Sequence, residues 1–411
     1  MNIWFFFIIA FLLLGWLVDW LGGVLTLKAL QPEIPDEFID FLSPDDYRRA
    51  QNYTEAKIRF SLFTTSVTTL STLVFIVLGG FKLVDHWARS FESGPVLTGT
   101  IFTIILFFLS LVLTVPFSVY TTFVIEKRFG FNRTSIGTFL LDLAKTVLLA
   151  ILLGTPLLVT VLWFFEISGA NGWLYCWLAV IVFSLVIQFL APIVILPLFN
   201  TFSPLADGDL KQRIQTYARR QHFQLQGIFI MDGSRRSTKV NAFFTGLGRF
   251  RKIVFYDTLL TTLDTAEIIA VLAHEMGHFK KRHLGKMLLA TVVQTGGMLY
   301  LLSLLLDNEA VSGALQVDHP SVYASLIAFA ILFSPVNFLI SIVFHYYSRK
   351  YEFEADTFAI TSGGDREALI SALKKLSQAN LGNLTPHPLV VLLEYSHPPV
   401  LQRIEAIRNI A

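Results

Sequence analysis

Only one cysteine, Cys176, occurs in 411 residues. That excludes an internal disulfide and a cysteine-rich metal cluster, and its place in an apolar run makes it a small buried hydrophobe. Charge is scarce as well. Asp, Glu, Lys and Arg make up 15% of the chain, against about a quarter in an ordinary soluble protein. Net charge is +2 and no basic run stands out, which removes nucleic acid as a partner. No internal repeat or low-complexity segment is visible, so nothing points to an inverted-repeat transporter. What is abundant is apolar: 54% of residues are hydrophobic, 38 are Phe, and mean hydropathy is +0.61.

A bilayer core about 30 Å thick takes roughly 20 apolar residues of helix. Seven stretches qualify: Ile3–Leu21, Phe60–Val84, Ile101–Val124, Thr146–Phe165, Trp173–Phe199, Met287–Leu306 and Val322–Tyr347. The first lacks a basic leader and a small-residue cleavage site, which predicts a retained span rather than a signal peptide. Pro116, Pro156, Pro192, Pro197 and Pro335 read as local kinks, tolerated in lipid. Lys and Arg gather after the first, third, fifth and seventh spans, and the loops after the fourth and sixth have none. This bias predicts an N-terminus outside, a cytoplasmic C-terminus and membrane lipid as surroundings. The membrane would be the cell membrane in a bacterium and the endoplasmic reticulum in a eukaryote.

The expected fold is therefore an all-α integral membrane protein with seven transmembrane helices and a small cytoplasmic α+β catalytic segment. Its parts are residues 1–199 with five spans, 200–286, 287–347 with two spans, and 348–411, a helical cytoplasmic tail. In 200–286, Leu210–Gln221 reads as an amphipathic helix. Gly227–Met231, Lys239–Thr245 and Lys252–Tyr256 read as short strands. Thr265 then caps a helix with Glu267 in its first turn.

That helix carries His274-Glu275-Met276-Gly277-His278, the pattern H-E-x-x-H. Residues i and i+4 share a helix face, so two imidazoles can meet one zinc ion, and Glu275 is placed to take a proton from the attacking water. An amphipathic helix with two exposed histidines would show the same letters. Against it stand Ala273 and Gly277, small residues each next to a histidine, and a later third ligand. Glu352 and Asp356, again i and i+4, lie just past the seventh span on what reads as the same helix. The zinc helix likewise runs on through Lys286 into the sixth span. Glu352 completes a two-His, one-Glu site with a fourth position open. Asp356 can accept the second ring N–H of a ligand histidine. Glu354 reads as solvated. Alone, Glu352 and Asp356 would read as partners of Arg349 and Lys350.

H-E-x-x-H followed by S-R-x-x-E-x-x-A-D resembles the type I CAAX prenyl endopeptidases (a-factor-converting enzymes) and relatives such as the heat-shock protease HtpX. Further likeness lies in Phe123–Glu126 with Gly130–Asn132, Pro197–Asn200, Ser203–Gly208, Val240–Phe244, Val254–Leu260, and Tyr395–Pro399 followed by Arg403. The seven spans favour the CAAX branch. The resemblance implies helices that enclose a water-filled chamber, one zinc ion per chain on His274, His278 and Glu352, and Glu275 as general base. It implies Asp356 behind a ligand, His397 supporting the oxyanion, Asn241 and Ala242 pairing with the substrate backbone, and Arg403 near the peptide. By its own residues His397 reads as a turn residue before Pro-Pro, and Asn241 as an ordinary strand residue. The substrate would be a membrane-attached peptide or protein, prenylated in the CAAX case and unprenylated in a quality-control protease. A non-catalytic chaperone or transporter is the reading from another class, and the intact Glu275 speaks against it. His345 and Asp19, ionisable at membrane depth, receive no role.

Overall fold

The computed structural model describes residues 2–168, 171–245, 252–306 and 308–410. Helix α1 (Ile3–Ala29) starts where the Asn2 side chain accepts from Phe5 N–H. Helix α2 (Pro44–Val77) starts at Ser43, whose hydroxyl accepts from Asp46 N–H, with Pro44 pre-set for the first turn and Asp45 and Asp46 favoured by the helix dipole. It stops before Gly79, whose φ of 72° only glycine adopts cheaply. Helix α3 (Gly80–Arg89) follows. The expected second span, Phe60–Val84, is thus corrected: the chain turns at Gly79 and the membrane helix begins far earlier, at Pro44. Helix α4 (Pro95–Tyr120) continues as a π-helical turn to Glu126. Helix α5 (Ile136–Ile167) is capped by Ser135. Helix α6 (Gly172–Leu190) passes through a π turn containing Pro192 into the short α7 (Leu196–Phe199).

A four-stranded sheet follows, with β1 (Phe202–Pro204), β2 (Gly227–Met231), β3 (Ala242–Thr245) and β4 (Lys252–Tyr256) in the order β1-β2-β4-β3. Strands β2 and β4 run parallel, and the outer pairs run antiparallel. Helix α8 (Asp209–Arg220) buries Ile214 and Tyr217, and α9 (Asp257–Thr262) leads to α10 (Thr265–Lys280). The cap of α10 is Asp264, not Thr265: its carboxylate accepts from Glu267 N–H, and the Glu267 carboxylate accepts from Asp264 N–H.

Helix α10 does not run on into the next span. It ends at Lys281, Arg282 takes a φ of 57°, and α11 (His283–Leu306) restarts there. After α12 (Glu309–Ser312), α13 (Val322–Leu332) and α14 (Ser334–Thr361) meet at a 52° bend ahead of Pro335. Helices α15 (Arg366–Ala379), α16 (Pro388–Glu394) and α17 (Val400–Arg408) complete the described chain.

Among the described residues six helices are long and apolar enough to cross a membrane, and up to seven spans result if the bent pair counts as one. The chain is a multi-pass membrane protein. Each spanning helix packs on the next, and the series returns from α11 through α13 to α1. Leu70, Val112, Leu148, Leu178, Leu289 and Leu339 stay exposed, as membrane-facing residues do when no water must be avoided. One core joins the spans through Phe5, Ile76, Phe102, Leu162 and Tyr323. A second, formed by Tyr47, Ile214, Phe255, Leu272, Met276, Leu369 and Ile404, binds the sheet to α10, α15 and α17.

Candidate metal centre

Helices α10 and α14 lie against each other so closely that a methyl group on Gly277 would come within 2.9 Å of both Cα and O of Ala355. Small residues therefore set the distance between the H-E-x-x-H turn and the Glu352–Asp356 turn. The result is a cluster of His274, His278 and Glu352. The Nε2 atoms of the two histidines are 3.2 Å apart. Glu352 Oε2 lies 3.5 Å from His274 Nε2, and Oε1 lies 3.3 Å from His278 Nε2.

The protons can be assigned. His274 Nδ1–H donates to Asp356 Oδ1 over 2.7 Å, which leaves a lone pair on its Nε2. Arg403 donates to both Asp356 oxygens, at 2.9 and 2.7 Å, and its Nη1 stands 3.2 Å from Glu352 Oε2. The nearby Arg403 Nη2 cannot also bond His274 Nδ1, because both would be donors. Glu352 Oε2 is buried without a hydrogen bond. Two imidazole nitrogens and a carboxylate thus converge on one point, and a cation there would satisfy the orphaned oxygen. Zinc fits: bonds of about 2.0–2.1 Å to a tetrahedral ion place donors about 3.3 Å apart, close to the separations found.

His397 Nε2 reaches to 3.3 Å from Glu352 Oε1, although the side chain is largely exposed. Its segment is held from below: Arg349 donates to the carbonyls of Val391 and Tyr395 at 2.8 and 2.6 Å, and His345 Nδ1 lies 2.7 Å from Leu393 O. Arg349 therefore ties down the end of α16 and is no partner of Glu352. Asp19 lies within electrostatic reach of Glu394, whose Oε1 would stand only 2.5 Å from a Cβ on Gly22. A cavity of about 420 Å³ opens onto the donors, Glu275, Ala242 and His397, and Asn241 and Arg403 also border it. Burial raises the Glu275 carboxyl above the ordinary carboxylate range, against the lowering effect of His274 and His278.

Two neighbours of the cluster escaped the sequence reading. His283, stacked on Tyr351 at 4.2 Å, brings its Nδ1 to 3.1 Å from His278 Nδ1, and its Nε2 lies 3.1 Å from Glu354 Oε2. Glu354 is thus engaged rather than solvated. The only signal was a third histidine five residues past His278, which an unbroken helix would carry round to another face.

Comparisons with known proteins identify the family. The family described as "CAAX prenyl protease N-terminal, five membrane helices" matches residues 24–201, and "Peptidase family M48" matches residues 204–411. A CAAX prenyl protease 1 homolog of Arabidopsis thaliana is 32% identical over 97% of this chain and 96% of its own length. CAAX prenyl protease 1 of Saccharomyces cerevisiae is 31% identical over 92% of this chain and 89% of its own. The crystal structure of S. mikatae Ste24p superposes with a TM-score of 0.93, at 30% identity and 99% coverage of both chains.

Proposed function

The chain belongs to peptidase family M48, and from that premise we propose that it is a zinc endopeptidase that cuts membrane-attached, prenylated proteins near their C-terminus. One observation carries the zinc assignment: two imidazoles and a carboxylate at tetrahedral spacing beside the partly buried Glu275. The substrate class rests on relatives that bear the name CAAX prenyl protease 1 over nearly their full length.

Zinc held by His274, His278 and Glu352 supplies Lewis acidity. Glu275 takes a proton from the attacking water and delivers it to the leaving amine, a role its raised affinity for protons suits. Asp356 fixes the tautomer of His274. Arg403, between Asp356 and Glu352, balances their two charges at the edge of the peptide's path. His397 is placed to donate to the developing oxyanion. Asn241 and Ala242 offer the substrate backbone an edge strand. The ring of seven spans encloses the chamber for the lipid, with the N-terminus outside and the metal centre on the cytoplasmic side, as the Lys and Arg bias directs.

The test is cleavage of a quenched fluorescent peptide ending in a farnesylated CAAX sequence, with detergent-purified protein. Chelator should abolish it. Glu275→Gln should lower the rate by a factor of roughly 100 to 10,000 while one zinc per chain is retained. Equal cleavage of farnesylated and unprenylated peptides would replace the CAAX reading with general quality control. Full activity in Glu275→Gln would sink the peptidase mechanism.

A further inference from the structure

The outer edge of β3 is closed at one end. Asn241 O accepts from Tyr256 N–H of β4 at 3.1 Å, so Val240, Ala242 and Phe244 turn their backbone groups the other way. At Ala242 no strand lies along that edge among the described residues, and its N–H bonds the Asn241 side chain at 2.8 Å, a contact that a peptide carbonyl would replace. At Val240 it is taken. The Asn380 side chain accepts from Val240 N–H at 2.9 Å and donates to Val240 O at 3.1 Å. A single amide thus occupies both positions where the next residue of a paired peptide would bond.

Positive charge waits beyond this stop. Lys239 Nζ lies 2.8 Å from Tyr53 Oη and 2.9 Å from Glu126 Oε2. Lys57 Nζ stands 5.3 Å from the centre of the same Tyr53 ring, as does Lys239 Nζ. Among the described residues Lys57 has no ion pair. Lys239 is paired with Glu126 and its neighbour Lys57 is not, which leaves one positive charge in excess. The two features adjoin, because Leu381, next to Asn380, packs in one cluster with Tyr53, Phe129 and Phe131.

We infer that the groove beside β3 is built for the end of a peptide, with Asn380 as its stop and the ammonium groups of Lys57 and Lys239 binding the terminal carboxylate. Charge decides the direction. A peptide antiparallel to β3 brings its C-terminus to Val240, whereas a parallel one would bring a third ammonium group to two others. From Ala242 to Lys239 is three residues, roughly 10 Å of extended chain, so the bond cut lies a few residues from the end. The inference rests on the peptidase reading and adds the group that recognises the substrate's terminus.

The experiment compares three farnesylated peptides of one sequence on the full-length protein: free carboxylate, C-terminal amide, and a three-residue extension. The wild type should favour the carboxylate over the amide by roughly tenfold or more in kcat/KM, the scale of a charge-assisted hydrogen bond. Lys57→Gln should bring that ratio towards one, and Lys57→Arg should keep it. The extended peptide should be cut slowly, and Asn380→Ala should narrow that gap. Equal cleavage of carboxylate and amide by the wild type overturns the inference and leaves the peptidase reading intact. No chelator-sensitive cleavage of any peptide overturns both.

Discussion

His283 turns His278, one of the proposed ligands, into the end of a hydrogen-bonded chain. For His278 to offer Nε2 to a metal, its Nδ1 must carry the proton and His283 Nδ1 must accept it. His283 then donates from Nε2 to Glu354, and the 3.1 Å separations at both ends permit this. His283→Ala should therefore speed zinc release by a factor of about 10 to 100, read with a chromogenic chelator on the detergent-purified protein. An unchanged release rate would make His283 a packing residue for Tyr351. At this scale the sequence was legible where spacing alone does the work. His274 and His278, like Glu352 and Asp356, are i and i+4, and helix geometry brings each pair to one face. His283 was not legible, because its position depends on the left-handed backbone of Arg282. Glu354 was misread for a related reason: its partner sits on that displaced turn.

Among the elements, the contact of α10 with α14 matters most, and Gly277 governs it. Gly277→Ala would push a methyl group into the Ala355 backbone, at a cost of about 1–3 kcal/mol if the helices hold their packing. The expected outcome is a lower zinc content together with a lower melting temperature. A fully loaded variant with wild-type melting would show that the helices part without harm. Apolar runs announced the spans, but their ends depended on local chemistry. Ser43-Pro44 starts α2 well before the apolar run, and Gly79 ends it inside that run. The continuity of α14 through Tyr347 to Thr361 was legible from helix-forming residues without a breaker. The stop between α10 and α11 was not, since Lys281 and Arg282 are good helix formers in isolation. Asp264 was passed over for its neighbour Thr265, although the Glu267 three residues on completes its capping box.

Over the whole molecule, the N-terminal and C-terminal parts are tied by Glu37. Its carboxylate meets Lys374 at 2.5 Å and Arg408 at 2.5 and 2.8 Å. Burial would raise the Glu37 pKa, but the bonds from Lys374 and Arg408 outweigh it and hold it below 4.5. The sign follows from linkage: the contribution to stability is complete above the unfolded value and is lost as pH falls through the lowered folded value. Glu37→Gln should melt about a degree or two below the wild type at neutral pH, and the two curves should converge in acid. A constant gap down to low pH would assign the effect to packing. The enclosing arrangement of the spans was legible only through the family resemblance, since which helices are neighbours is settled by side-chain packing that no period records. That ring, and the place of Glu352 on it, has a consequence for how the protein is made. The two histidines precede the last two spans, and the carboxylate follows them. A chain whose final hairpin has not entered the bilayer holds an incomplete claw. Under the zinc reading, metal capture would therefore report that this hairpin is in place.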